Sequence, residues 1–291
     1  MARSLCERSP NAVSKRRTTR RVLKYDSQVT TKFAVTCQQI TPPKTRTRNH
    51  PVRVVNWKDP RVWNKIRNEG CYHRSDDIIV SCGTVTIHEA EGSCPKILVV
   101  YNRKIGIHQL PKGRKDFGES HLDTAIRETT EETGVAVRPL RLRFGSRSTV
   151  PRSPHSEVEK ACGVEDPSTG ITRGLSNEMI GVSEYPDPAT GAWRNIHWYV
   201  AKPKGALTRD DETMPLQGDR EKFSTFWLSE AEALEKLKLD DEKFMVRVAF
   251  TYLDNMSGED WASNAEFEQQ QDVGMLLTSN KDAQTIPSPE T

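Results

Sequence analysis

The sequence predicts an α/β domain, of the α+β kind, flanked by two tails, and three observations carry that expectation. Short β-branched, apolar runs separated by turn residues mark strands, above all IIVSCGTVTIHE (Ile78 to Glu89) and KILVVYNRK (Lys96 to Lys104). A capped helical pattern follows, with Ser120 as N-cap, then Leu122, Ala125, Ile126 and Thr129 at i, i+3, i+4 and i+7, and Gly134 just past the last turn. A second strand pair, EMIGVSEY (Glu178 to Tyr185) and WRNIHWYVA (Trp193 to Ala201), brackets the turn-rich PDPATGA and reads as a hairpin. A chain of 291 residues, 35% of them hydrophobic, has room for one large core.

Before the first strand, residues 1–51 are rich in Ser, Thr and Arg with little apolar periodicity, and read as a basic, disordered tail. Residues 1–56 hold 13 Lys and Arg against Glu7 and Asp26, so the net charge of +3 hides a basic arm on an acidic body. SKRRTTRR within it fits a nuclear address, a loose nucleic-acid anchor, an Arg-rich mitochondrial leader or a merely solvated arm. The domain itself is expected over 52–256. Past the capped helix, VRPLRLRFG (Val137 to Gly145) resumes strand character. Residues 146–176, rich in Ser, Pro, Gly and charge, read as an insertion. FSTFWLS (Phe223 to Ser229) is a further strand, SEAEALEKL starts a Ser-capped helix, and EKFMVRVAFTYLDNM places Phe244, Val248 and Leu253 on the apolar side of a packing helix. Residues 257–291 read as a disordered C-terminal tail.

No run is long and apolar enough to span a membrane, so no membrane partner is expected. The six cysteines contain no C-x-x-C pair, which argues against a zinc site or a disulfide framework and for reduced thiols in an intracellular protein, of cytoplasm, nucleus or mitochondrion.

The capped helix carries Glu128, Glu131 and Glu132, which share one face at i, i+3 and i+4. Unpaired, like charges at that spacing cost about 0.2–0.5 kcal/mol per pair. Three glutamates alone equally describe a solvated helix face. They make better sense around a hard divalent cation, Mg²⁺ or Mn²⁺, which takes oxygen ligands and completes its shell with water and substrate phosphate.

The surrounding residues spell G-x5-E-x7-R-E-x-x-E-E-x-G, through Gly113, Glu119, Arg127, Glu128, Glu131, Glu132 and Gly134. This pattern resembles the signature of the Nudix hydrolases, keeping every fixed position and departing only at Thr129, where the family prefers an apolar residue. The resemblance implies an α/β/α sandwich around a central mixed sheet and Mg²⁺-dependent hydrolysis of a diphosphate linkage. It implies metal ligands at Glu128, Glu131 and Glu132, with Glu128 or Glu131 as general base. Arg127 would point away from the metal and hold a glutamate in place, Gly113 and Gly134 would permit tight turns, and Glu119 would brace the loop.

Arg103, Lys104, Lys112, Arg114 and Lys115 crowd around the first glycine, as suits a polyanionic substrate, although a solvated basic loop would look the same. Arg103, Lys112, Arg114 and Lys115 are the expected substrate contacts. LPKGRKD resembles the segment leading into the box of Nudix enzymes acting on diadenosine and diphosphoinositol polyphosphates. A small-molecule polyphosphate is therefore the expected partner. A decapping enzyme with the basic tail as RNA anchor is the alternative, and a non-catalytic Nudix-like binding module the second. Tyr101, Trp193, His197 and Tyr199 are candidates for base stacking or for the core, and Glu221, ahead of Asp219, is a candidate further metal ligand.

Overall fold

The computed structural model describes residues 53–89, 93–149 and 164–282, with side chains as far as residue 270. The expected basic tail over 1–51 therefore lies outside the described residues. So do residues 150–163 of the expected insertion and 283–291 of the C-terminal tail.

The sheet is built on β1 (Ile78–His88), which is buried on both faces from Ser81 to Ile87. A strand covered on both sides needs residues that tolerate burial on either face, and from Ser81 to Ile87 this one carries only small or β-branched side chains. β1 runs parallel to β10 (Trp193–Pro203), in register from Ile78 opposite Trp193 to Thr86 opposite Ala201. The other edge of β1 is shared by two antiparallel strands, β4 (Lys112–Arg114) along Ser81–Gly83 and β2 (Lys96–Asn102) at Ile87 and His88. β2 continues the sheet to β11 (Phe223–Ser229) and also pairs with β3 (Ile107–Gln109). The far edge of β10 takes β9 (Gly181–Pro186) and β5 (Val137–Pro139). One parallel pair among antiparallel ones makes the sheet mixed, as expected.

Alternation along β1 decides what each helix covers. Cys82 faces α2 (His121–Thr133), where it meets Ala125, Leu122 and Tyr199. Val85 and Ile87 face the opposite way, into the main core with Ile97, Val99, Ile196 and Trp198. There they meet Met245, Val246 and Ala249 of the helix over Asp240–Leu253. Helices on both faces of a mixed sheet give the α/β/α sandwich. Trp198, fully buried, satisfies its indole N–H by donating to Ser183 Oγ at 2.8 Å.

The helix α2 is delimited as its sequence indicates. Ser120 Oγ accepts from the Asp123 backbone N–H, and Gly134 ends the helix at φ +68°, where a side chain would also run into Arg209 and Asp210. Four features differ from expectation. A helix not foreseen, α1 (Pro60–Glu69), is capped by Asp59 and opened by proline, yet buries none of its residues. The segment expected as one strand over 137–145 splits after Pro139, and its second half, β6 (Leu142–Ser146), leaves the main sheet. β6 pairs with β8 (Ile171–Ser176), and β8 with β7 (Val164–Asp166), so the described part of the insertion forms a small antiparallel sheet.

The fourth difference is the C-terminal segment. Beyond α3 (Gln217–Lys222), α4 (Glu230–Lys236) with its Ser229–Glu232 capping box, and α5 (Asp240–Leu253), the chain forms α6 (Gly258–Asp282) in place of the expected tail. Polar contacts fix its start, which is why apolar periodicity did not register it. Asp260 and Asn264 are buried, Arg143 forks onto Asp260, and Asn264 exchanges hydrogen bonds with the Arg141 backbone. In α5, Val248 and Leu253 are buried, whereas Phe244 is exposed. Among the described residues no helix is long and apolar enough to cross a membrane.

The Arg143 guanidinium holds the Asp260 carboxyl well below its usual range. A depressed folded-state pKa stabilises above the unfolded value and is lost as pH falls toward the folded one. Asp260→Asn is expected to cost about 1–2 kcal/mol in urea unfolding at pH 7, with the difference from the parent shrinking as pH drops below 4. Equal stability at pH 7 would show that α6 is not held by this pair.

Candidate active site

The three glutamates sit on α2 beside the loop that follows β4, and one guanidinium organises them. Arg127 Nη1 donates to Glu128 Oε1 at 2.9 Å and to Glu131 Oε2 at 3.0 Å. Its Nε and Nη2 fork onto the two oxygens of Glu119 at 2.8 and 3.0 Å, and Nη2 also donates to the Arg114 carbonyl at 3.0 Å. Arg127 was expected to steady one glutamate while pointing away from the metal. It spans three and stands between two of the expected ligands. Its hydrogen bonds hold the Glu119 carboxyl down at about 2, and Glu119 in turn accepts from Thr124 Oγ1 and the Asp116 N–H, bracing the loop.

Gly113 earns its place by close approach. A Cβ there would lie 1.9 Å from Glu128 Oε2, so the Glu128 carboxylate fills the space that a side chain would take. Burial pushes the Glu128 carboxyl above its ordinary value despite Arg127. Glu132 is deeper still. It accepts from the Lys112 backbone N–H at 2.9 Å, and burial pushes its carboxyl up to about 8.

These residues suit a hard divalent cation in chemistry: three carboxylates on one helix face, two of them desolvated, against a glycine that leaves room for one. Among the described residues no three acidic, His or Cys groups already converge as a metal cage. Glu128 and Glu131 converge on the Arg127 nitrogen.

The cations are dispersed more than their spacing suggested. Lys112 points through the sheet, away from α2, and its ammonium is buried 2.8 Å from Glu242 Oε1 of α5. Burial alone would pull that ammonium down, yet Glu242 and Glu132 together hold it above its ordinary value. Lys112 is thus a core residue, and its side chain is not available to substrate. Arg103 ties β2 to β11 through Ser224 Oγ and the Glu221 carbonyl. Arg114 and Lys115 remain beside the box, lining an open cavity. Glu221 accepts from Gln217 on the exposed side of α3, and Asp219 pairs with Lys222. Tyr199 belongs to the core, while His197 stacks on His121, Trp193 on His73, and Tyr101 lies against His108.

Sequence reasoning missed Glu242 and Thr84. Thr129, the one departure from the box, donates to the Ala125 carbonyl and shares a 2.8 Å hydrogen bond with Thr84 Oγ1, which also meets Thr86. A Thr at alternate positions of β1 was the available signal for that contact. Nothing local signals Glu242, which is 130 residues from Lys112.

Residues 80–165 match the family model of the NUDIX domain. The fixed residues of the box, Gly113 to Gly134, lie within the matched span. Among solved structures, the chain is similar to a NUDIX hydrolase from Nitrosomonas europaea at 16% identity, over 62% of this chain and 97% of that one, with a TM-score of 0.38. It is similar to a C. elegans Ap4A hydrolase at 14% identity, over 61% and 99%, with a TM-score of 0.37. It is also similar to a MutT NUDIX hydrolase from Burkholderia pseudomallei at 16% identity, over 58% and 95%, with a TM-score of 0.34. Comparison with the curated proteins gives no match.

Removing one partner of a buried ion pair strands the other, at about 3–5 kcal/mol. Lys112→Met should therefore destabilise the protein by that order in urea unfolding, and adding Glu242→Leu should restore most of the loss. A double variant no more stable than the single one would show that Lys112 is held by something other than Glu242.

Proposed function

We propose that the protein is a metal-dependent pyrophosphohydrolase that cleaves a diphosphate linkage in a polyphosphorylated metabolite, a dinucleoside polyphosphate or a diphosphoinositol polyphosphate. The observation that carries this reading is the arrangement of Glu128, Glu131 and Glu132 on one face of α2. Arg127 fixes two of them, and the Gly113 gap receives one.

Glu128, Glu131 and Glu132 would hold Mg²⁺ or Mn²⁺. Such an ion, when bound, neutralises charge on phosphate oxygens and acidifies a coordinated water. The chain's own residues supply the rest. Glu128 or Glu131 accepts the proton of the attacking water. The burial that raises Glu128 improves its match to a base working near neutrality. Arg127 positions both carboxylates through charge-assisted hydrogen bonds, which are stronger than neutral ones. Arg114 and Lys115 neutralise phosphate oxygens beside the box, a role in which Lys112 takes no part because its ammonium is buried against Glu242.

The test is release of phosphate or nucleotide by the purified protein with Mg²⁺ or Mn²⁺. The panel is diadenosine polyphosphates, diphosphoinositol polyphosphates, capped RNA, nucleotide sugars and nucleoside triphosphates. Turnover is expected for a polyphosphate metabolite, falling by about two to three orders of magnitude in Glu131→Gln and Glu132→Gln. Turnover confined to capped RNA would favour the decapping alternative, and silence across the panel would leave a binding module.

A further inference from the structure

The helix α1 carries an apolar side that the domain does not bury. Val62, Trp63 and Ile66 stand together on it at i, i+1 and i+4, yet none of its ten residues is buried. Trp63 is 49% exposed, Ile66 45%, and Trp57, ahead of the helix, 57%. Single exposed apolar residues are ordinary on a protein surface, so the exposure gains meaning only from its setting.

That setting has two parts. First, the indoles are held as a pair. Their ring centroids lie 5.5 Å apart, and Trp63 Nε1 donates to the Trp57 carbonyl at 2.8 Å. The Asp59 cap and Pro60 fix the start of the helix between them, so the exposed side is built by local contacts. Second, the surroundings are cationic. Residues 53–74 hold six Lys and Arg against Asp59 and Glu69. Asp59 is committed to the cap and to Arg61, and Glu69 lies 3.9 Å from Lys65. Among the described residues, Arg53, Lys58 and Arg67 form no ion pair. The helical period puts Arg61, Asn64, Lys65 and Asn68 opposite the apolar side, with Arg67 at one seam and Glu69 at the other. The arm that leads into the helix has the same sign, with twelve Lys and Arg against Glu7 and Asp26 over residues 1–52.

We propose that α1 docks the protein on an anionic phospholipid bilayer, lying in the headgroup layer with Trp57, Trp63 and Ile66 inserted and the surrounding cations on the lipid phosphates. The proposal stands on this helix and does not depend on the hydrolase reading. The expectation of no membrane partner rested on spanning runs alone, and a helix that lies on a surface needs none.

The chemistry of the face selects this occupant. A short helix with a compact apolar side, a Lys- and Arg-bearing polar side and tryptophan between them is the composition of an interfacial helix. Indole suits the boundary between headgroups and acyl chains, where an apolar body and a polar edge are both accommodated. Lys and Arg reach outward from such a helix to phosphate while their stems stay on hydrocarbon. A nucleic acid would satisfy the cations and leave Val62 and Ile66 in water. The indole rings, tilted 50° against each other, also present no common platform for successive bases.

The experiment floats the full-length protein with vesicles of phosphatidylcholine alone or of an equal mixture of phosphatidylcholine and phosphatidylserine. The parent is expected on the mixed vesicles and not on the neutral ones, with binding that weakens as salt rises. Trp63→Ser combined with Ile66→Ser should lower partition onto the mixed vesicles about tenfold, and Trp63→Phe should keep it. Urea unfolding should be the same for the parent and both variants, because neither side chain is buried. A parent protein that leaves the mixed vesicles unbound would overturn the proposal. So would a double variant that binds them as the parent does, since the basic arm would then be the whole contact. Binding of oligouridylate that falls in the double variant, without vesicle binding, would assign the face to single-stranded nucleic acid instead.

Discussion

Everything at the box depends on the Arg127 guanidinium. Three glutamates within five residues of one helix repel one another, and two of them are withdrawn from water as well. A fork that reaches Glu119, Glu128, Glu131 and the Arg114 carbonyl at once turns that repulsion into a framework. Lysine could not replace it, because a single ammonium cannot present donors in four directions from one plane. The same contacts join the loop after β4 to the helix, so the geometry of the carboxylates and the path of the loop are set together.

A second charged assembly lies on the opposite face of the sheet, and Lys112 belongs to both. Its backbone N–H holds Glu132 on the α2 side while its ammonium crosses to Glu242 on the α5 side. A buried pair of this kind is weak evidence for stability, since desolvation offsets most of the attraction. Its consequence is positional. The strand that carries Gly113 cannot shift along β1 without breaking one contact or the other, so the gap that receives Glu128 is kept in register. Burial raises the Glu242 carboxyl against the opposing pull of Lys112.

The parts of the structure legible in the sequence were those written locally. β1, β2, the hairpin of β9 and β10, and α2 with its caps each carry their pattern within a dozen residues, and the box spacing places its glutamates on one face without tertiary information. The misread parts are non-local. Lys112 looks like a loop cation until Glu242, far along the chain, draws it inward. The start of α6 is polar and aperiodic because Arg141 and Arg143 hold it, beside Trp261, which packs on the core. The strand over 137–145 breaks because the chain must pass from one sheet to another after Pro139, a demand no periodicity records.

Thr129 shows how a local departure from a pattern is absorbed by distant residues. A hydroxyl placed where the box favours hydrocarbon would cost free energy if buried alone. Here it donates within its own helix and meets Thr84 on β1, which meets Thr86 in turn, so a short chain of hydroxyls replaces aliphatic contact at the seam between α2 and the sheet. All three side chains are fully buried, and each has a partner. The departure therefore concerns the attachment of the helix to the sheet. It leaves the glutamates on the neighbouring face where the spacing of the box puts them.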